Sequence, residues 1–182
     1  IEELGRVWGY NNLPTRLPAM NFEVVAAPES ELTVDRLKNA LVDRGYQEAI
    51  TYTFVEEELL KAIEPNRSAV ALANPISADM SHMRTSIWAG LLKAAIHNIN
   101  RQQGRVKLFE TGLVFEDDQG IRQRPHLGGL VYGELAPESW SGKSRKVDFF
   151  DVKGDVESLL NMTAQPRAFE FVAAEHPALH PG

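Results

Sequence analysis

The side chains that could do chemistry are few and lie far apart along the chain. Arg84 stands out, in a polar stretch from Asn74 to Ser86. Its planar guanidinium could clamp a phosphate or carboxylate through paired N–H donors. Alternatively, it could pair with Asp79 or meet a partner chain. Glu2 and Glu3 could ligate a hard cation such as Mg²⁺, which prefers carboxylates and water. Adjacent helical side chains point about 100° apart, so these two alone cannot chelate one ion, and a solvated acidic face is the simpler reading. The five histidines, His82, His97, His126, His176 and His180, have no metal-ligand spacing. A Ser-His-Asp set lacks a nucleophile-elbow motif. Gly128-Gly129 lacks the Lys-Ser/Thr of a phosphate loop and reads as strand where another backbone approaches closely. With no cysteine, thiol catalysis, disulfides and cysteine–zinc sites are excluded.

The elements that must position these residues follow from periodicity. Ile1, Leu4, Val7 and Trp8 share a face of a helix that Gly9 ends. Leu13 to Pro28 holds three prolines and reads as an extended linker. A helix is expected over 33–44, with Thr33 as its cap and Gly45 as its stop. A strand is expected from Glu48 to Val55, a short helix from Glu56 to Ile63, and an apolar strand from Ala69 to Ala73. Asn74-Pro75 opens a loop whose short polar residues Ser77, Asp79 and Ser81 compete with helix formation. Such a loop between apolar segments is a binding loop or a subunit contact. We therefore expect Asn74, Pro75, Asp79 and Arg84 at a partner interface.

A central helix carries the stripe Leu91, Leu92, Ala95, Ile96 and Ile99. Val106–Phe115 and Leu127–Leu135 read as a hairpin turned at Asp117–Gly120. Residues 136–147 are polar and irregular. A last helix spans Phe149–Met162, with Val152, Val156, Leu159 and Leu160 apolar, and a short strand spans Phe169–Ala173. This order predicts an α+β fold, an antiparallel sheet flanked by helices. The first boundary falls after Pro28: residues 1–28 are the end of a preceding module plus linker, and 29–182 one core domain.

At 182 residues, the chain can bury a sizeable core. Its formal net charge of −6 argues against strong nucleic-acid binding, for which Arg101, Arg105 and Lys107 are the nearest thing to a basic patch. No apolar run approaches the roughly 20 residues that cross a bilayer, so no membrane association is expected. The first 20 residues lack a signal peptide's apolar region. The chain opens without Met and inside a helix, which reads as a fragment of a larger protein. A cytoplasmic location fits the lack of cysteine.

Several phrases, in order, resemble one family. EELGRVWGYNNLP, GYQEAITYTFV, NPISADMSHMRTS with the following GLL, KLFETGLVF, DFFDVKGDVESLL and LHPG are all similar to the β subunit of bacterial phenylalanine–tRNA ligase. The resemblance implies a class II aminoacyl-tRNA synthetase-like fold in a non-catalytic copy, truncated at its C-terminal end. It implies pairing with the α subunit's catalytic domain in an α2β2 heterotetramer that joins phenylalanine to tRNA(Phe). ATP is the substrate of the α subunit, and Mg²⁺ the cofactor of the whole enzyme.

By position, the resemblance makes Glu2 and Glu3 part of a Mg²⁺ site whose other carboxylates lie upstream, so this chain should bind the ion weakly or not at all. It also implies inactivity: the strand matching the one that holds the ATP α-phosphate keeps Glu110 but has Phe109 beside it and no arginine in its core. Without cations facing the triphosphate, the charge developing during adenylation is unstabilised. Two rivals remain, a self-sufficient class II-like amino-acid-activating paralogue and a tRNA-binding module.

Overall fold

The computed structural model describes residues 1–17, 19, 31–118, 120–140, 142, 144–163 and 165–180. Most of the expected linker and the end of the LHPG phrase lie outside the described residues. The chain divides into two compact units, Ile1–Glu31 and Leu32–Gly182.

In the first unit, helix α1 spans Glu2–Trp8, and its carboxylates Glu2 and Glu3 suit the positive end of the helix dipole. Gly9, at a φ of 92° that side chains disfavour, ends it and leads to a 3₁₀ turn at Tyr10–Asn12. The stripe Ile1, Leu4, Val7 and Trp8 is exposed within this unit.

In the second unit, α2 spans Val34–Asp43 with Thr33 accepting the Arg36 N–H. Gly45 then turns the chain at φ 81°. Next come β1 (Gln47–Glu48), β2 (Phe54–Val55), α3 (Glu57–Ile63) and β3 (His82–Met83). They are followed by α4 (Trp88–Asn100), β4 (Arg105–Asp117), β5 (Ile121–Gly133) and α5 (Phe149–Leu160). β4 and β5 pair antiparallel along their whole length, from Arg105↔Gly133 to Asp117↔Ile121. β5 thus starts six residues before its expected beginning at Leu127. β1 adds to the other edge of β4 in parallel, while β2 and β3 form a separate antiparallel pair.

The fold is therefore α+β with a mixed sheet. The all-antiparallel expectation fails at β1 because the long excursion through α3 and α4 returns the chain to β4 in the same direction. Alternation along β4 sends Leu108 and Phe109 to opposite faces. Leu108 joins Val106, Val114, Ile87, Leu91 and Ala95 of the α4 layer, while Phe109 joins Leu41 and Tyr46, with Leu159 of α5 against them. A third cluster, Val55, Leu60, Ile63 and Ala89, fastens α3 to α4.

Five further local expectations need correction. The strand over Glu48–Val55 is broken into β1 and β2, because Thr51 turns its N–H and hydroxyl to the Glu110 carboxylate instead of a ladder partner. Ala69–Ala73 makes only an isolated bridge, Ala71↔His82. Phe169–Ala173 follows a 3₁₀ turn and pairs with no strand among the described residues. In the helices, Ile96 is 55% exposed, and α5 buries Asp155 rather than Val152 and Val156.

Candidate functional site

The most heavily constructed polar site lies where the 49–53 segment, the residue after β3, and β4 converge. Arg84 is 2% exposed and Glu110 3%. Arg84 Nη1 donates to Glu110 Oε1 at 2.6 Å and to Thr51 Oγ1 at 3.3 Å, and Nε donates to the Leu113 carbonyl at 2.9 Å. Thr51 Oγ1 donates to Glu110 Oε2 at 2.7 Å. The backbone is stitched at the same place: Arg84 N–H donates to Thr53 O, and the Phe115 N–H to Arg84 O. Each buried charge thus faces its opposite and is further hydrogen-bonded, as burial in a low-dielectric interior demands.

Two glycines make the room. A Cβ on Gly112 would sit 2.1 Å from Arg84 Nη2, and one on Gly90 of α4 would sit 1.9 Å from Thr51 Oγ1. No side chain larger than hydrogen fits either position unless the cluster shifts. Thr85, 1% exposed beside this cluster, has an Oγ1 with no hydrogen-bond partner among the described residues.

This geometry corrects the expectations for Arg84. Its partner is Glu110, not Asp79, and its buried guanidinium presents no face to a phosphate or another chain. The rest of the loop is different. Asn74, Pro75 and Asp79 are exposed, as is Ile76 at 84%. Asp79 lies in a 3₁₀ turn at Ala78–Met80. A hydrogen bond from Ser77, and then one from its own backbone N–H, holds its carboxyl below the usual range.

A second polar cluster, which sequence reasoning missed, fixes α5. Asp155 accepts from Arg44 Nη1 at 3.0 Å and from Tyr46 Oη at 2.9 Å, and Lys107 Nζ lies 2.9 Å from it. Burial alone would raise the Asp155 pKa, but the bonds from Lys107, Tyr46 and Arg44 outweigh it and leave the carboxyl below its ordinary range. Burial, then the bond to Asp155, pushes the Tyr46 hydroxyl upward. Lys107 also lies 4.3 Å over the Tyr46 ring, so it is no part of a free basic patch. The available signal was a lone carboxylate among Val152, Val156 and Leu159.

The remaining candidates stay apart. Glu3 Oε2 accepts from Arg6 at 2.7 and 2.9 Å, and both glutamates are exposed. Among the described residues, no group of three or more His, Cys, Asp or Glu could hold a metal ion. The acidic pair therefore does not by itself fit Mg²⁺. His82 bonds Ser81, His97 bonds Arg101, and His176 meets Trp88 edge-on at 5.8 Å. Among the described residues, no helix is long and apolar enough to cross a membrane.

The site thus defines a helix-backed α+β domain whose most elaborate polar construction faces inward. Comparison with known proteins gives the family. The family described as "Phenylalanyl tRNA synthetase beta chain CLM domain" matches residues 13–182. Proteins named phenylalanine–tRNA ligase beta subunit are similar along the whole chain: 51% identical in Hahella chejuensis, 49% in Vibrio cholerae and 50% in Pseudomonas fluorescens. The chain belongs to the phenylalanyl-tRNA synthetase beta chain CLM domain family. It covers 100% of its own length and 23% of each of those relatives. Among solved structures, a pyrrolysyl tRNA synthetase, PylSc of Desulfitobacterium hafniense, aligns with a TM-score of 0.49 and 14% identity. That alignment covers 75% of this chain and 44% of that one, a likeness too loose to carry an argument.

Proposed function

We propose that the chain serves as a non-catalytic, class II synthetase-like domain in the β subunit of an enzyme that joins phenylalanine to tRNA(Phe) with ATP. Its work is to pair with the α subunit's catalytic domain in an α2β2 assembly. The observation that carries this reading is the closed Arg84–Glu110 pair: the strand bearing Glu110 offers no arginine between Val106 and Phe115, and the guanidinium that reaches Glu110 is sealed inside. No cation at that carboxylate is left to meet a triphosphate, and electrostatic stabilisation of adenylation needs one.

The exposed loop bearing Asn74, Pro75, Ile76 and Asp79 is the proposed contact with α. In this reading, α1 closes the small module that precedes the domain, and Glu2 and Glu3 contribute to a metal site only together with carboxylates from elsewhere in a longer β chain. Tetramer stability under dilution tests the contact. Ile76→Asp with Asp79→Arg in the full β chain should weaken co-purification with α at low concentration while leaving the β fold intact; an unchanged tetramer counts against it.

A further inference from the structure

A polar pocket at the end of β4 remote from the hairpin turn has the chemistry of an anion site. It encloses about 180 Å³ between the turn after α2, the C-terminal end of α4 and the first residues of β4. Arg105 and Lys107 line it with the carboxamides of Gln47, Asn98 and Gln103, and its lining includes no Asp or Glu. Arg105 is the group without a counter-charge. Among the described residues it makes no ion pair, and its one hydrogen bond runs from Nε to the Leu135 carbonyl at 3.3 Å. Nη1 and Nη2, which carry most of the guanidinium's N–H donors, are left over. Gly45 shows where they lie: it turns at φ 81°, and a Cβ on it would sit 3.2 Å from Arg105 Nη2. The guanidinium therefore ends against the Gly45 wall of the pocket, on a side chain that is only partly buried.

Positive charge beside the pocket is in surplus. Asp155 is shared by Arg44 at 3.0 Å and Lys107 at 2.9 Å, so one carboxylate answers two cations, and Arg105 adds a third. Lys107 is held by that carboxylate and by the Arg44 carbonyl, so it contributes field rather than a free donor. The carbonyls at the end of α4, which would repel an anion, are capped: Asn98 O accepts from the Arg101 and Gln103 N–H groups, and Ile99 O from Gln102. The Asn98 amide nitrogen is taken by Ala94 O. Gln47 and Gln103 are exposed and supply the remaining amide donors. A guanidinium fork on one side with amides on others suits a tetrahedral oxyanion, whereas the two oxygens of a planar carboxylate are matched by one fork alone. At about 30 Å³ per water, the volume corresponds to roughly six waters, room for a phosphate group with a small substituent.

We propose that this pocket binds a phosphate group, with Arg105 Nη1 and Nη2 donating to its oxygens and Gln47 and Gln103 closing over it. The ligand chemistry is the same for the terminal phosphate of a small ester and for a bridging phosphate of a nucleic-acid strand. The site is independent of the proposed contact with α.

The test is NMR titration of the isotope-labelled 182-residue chain with inorganic phosphate at constant ionic strength, with acetate as the planar control. Saturable shifts centred on residues 45–47 and 103–107 are expected, with phosphate bound more tightly than acetate. Arg105→Gln should lower phosphate affinity about tenfold, as loss of a charge-assisted bond does, with thermal unfolding checked to confirm the fold. Gln103→Ala, at an exposed position, should lower it by a smaller factor. Arg122→Gln removes an exposed cation at the far end of the hairpin and should leave it unchanged. Equal binding of phosphate and acetate, full affinity in a folded Arg105→Gln chain, or an equal loss in Arg122→Gln overturns the proposal. So does full affinity in Gln103→Ala, the variant that decides the matter if Arg105→Gln does not fold. Methyl phosphate and dimethyl phosphate separate the sources: binding of the monoester alone assigns the pocket to a terminal phosphate, and binding of both to one that accepts a strand's bridging phosphate.

Discussion

Arg84 shows how one residue can hold several segments together. Its side chain spans Thr51, Glu110 and Leu113, and its backbone spans Thr53 and Phe115. Removing one member of a buried pair strands the other, at a cost of about 3–5 kcal/mol. Arg84→Ala should therefore lower stability by about that amount in urea unfolding. Replacing both members with apolar residues, Arg84→Met with Glu110→Leu, should cost less than Arg84→Ala alone; an additive double mutant would contradict strong coupling. Asp155 gives a second prediction, with a sign fixed by its depressed pKa. A carboxylate whose folded pKa lies below its unfolded value stabilises fully above the ordinary carboxylate range. That contribution is lost as pH falls through the folded value. Asp155→Asn should cost about 1–3 kcal/mol at neutral pH, and the gap to the parent protein should close on acidification below the ordinary carboxylate range. A pH-independent gap would show that the ionised form is not what matters.

At the scale of elements, much of the chain was legible wherever one signal was local and sufficient. Thr33 caps α2, Gly45 stops it at a positive φ, and the hairpin turns between Asp117 and Ile121, as their residue types indicate. What could not be read were pairings between distant segments. Arg84 and Glu110 are 26 residues apart, and nothing local distinguishes that partner from Asp79. The β-branched run before Val55 looked like one strand because β propensity describes a half-buried surface, not a ladder; the Glu110 carboxylate captured Thr51 and broke it. In α5 the apolar residues were legible, and Leu159 packs on the core, but the docking of Asp155 through Arg44, Tyr46 and Lys107 was not. Gly90 offers a test whose sign is opposite to the usual one. Gly to Ala inside a helix ordinarily stabilises by up to about 1 kcal/mol. Here the new methyl meets Thr51 at 1.9 Å, so Gly90→Ala should destabilise by about 1–3 kcal/mol through overpacking. A stabilised variant would mean the 49–53 segment can move aside freely.

For the molecule as a whole, the polar machinery faces inward while much apolar surface faces out. Ile50, Tyr52 and Ile76 are exposed, as are Phe149 and Phe150 of α5, and larger exposed apolar patches mark interaction sites. A domain built to be packed against others fits the proposed role beside an α subunit. It should withstand substitution on its exposed loop far better than at Arg84: Asp79→Ala should change stability by no more than about 0.5 kcal/mol. The proposed role also requires that the domain not adenylate. The most direct measurement is titration of the 182-residue chain with ATP and Mg²⁺, followed by calorimetry, with and without phenylalanine. No saturable binding at millimolar ATP is the expected result. Saturable binding in the micromolar range would contradict the non-catalytic role and favour a domain that activates an amino acid itself.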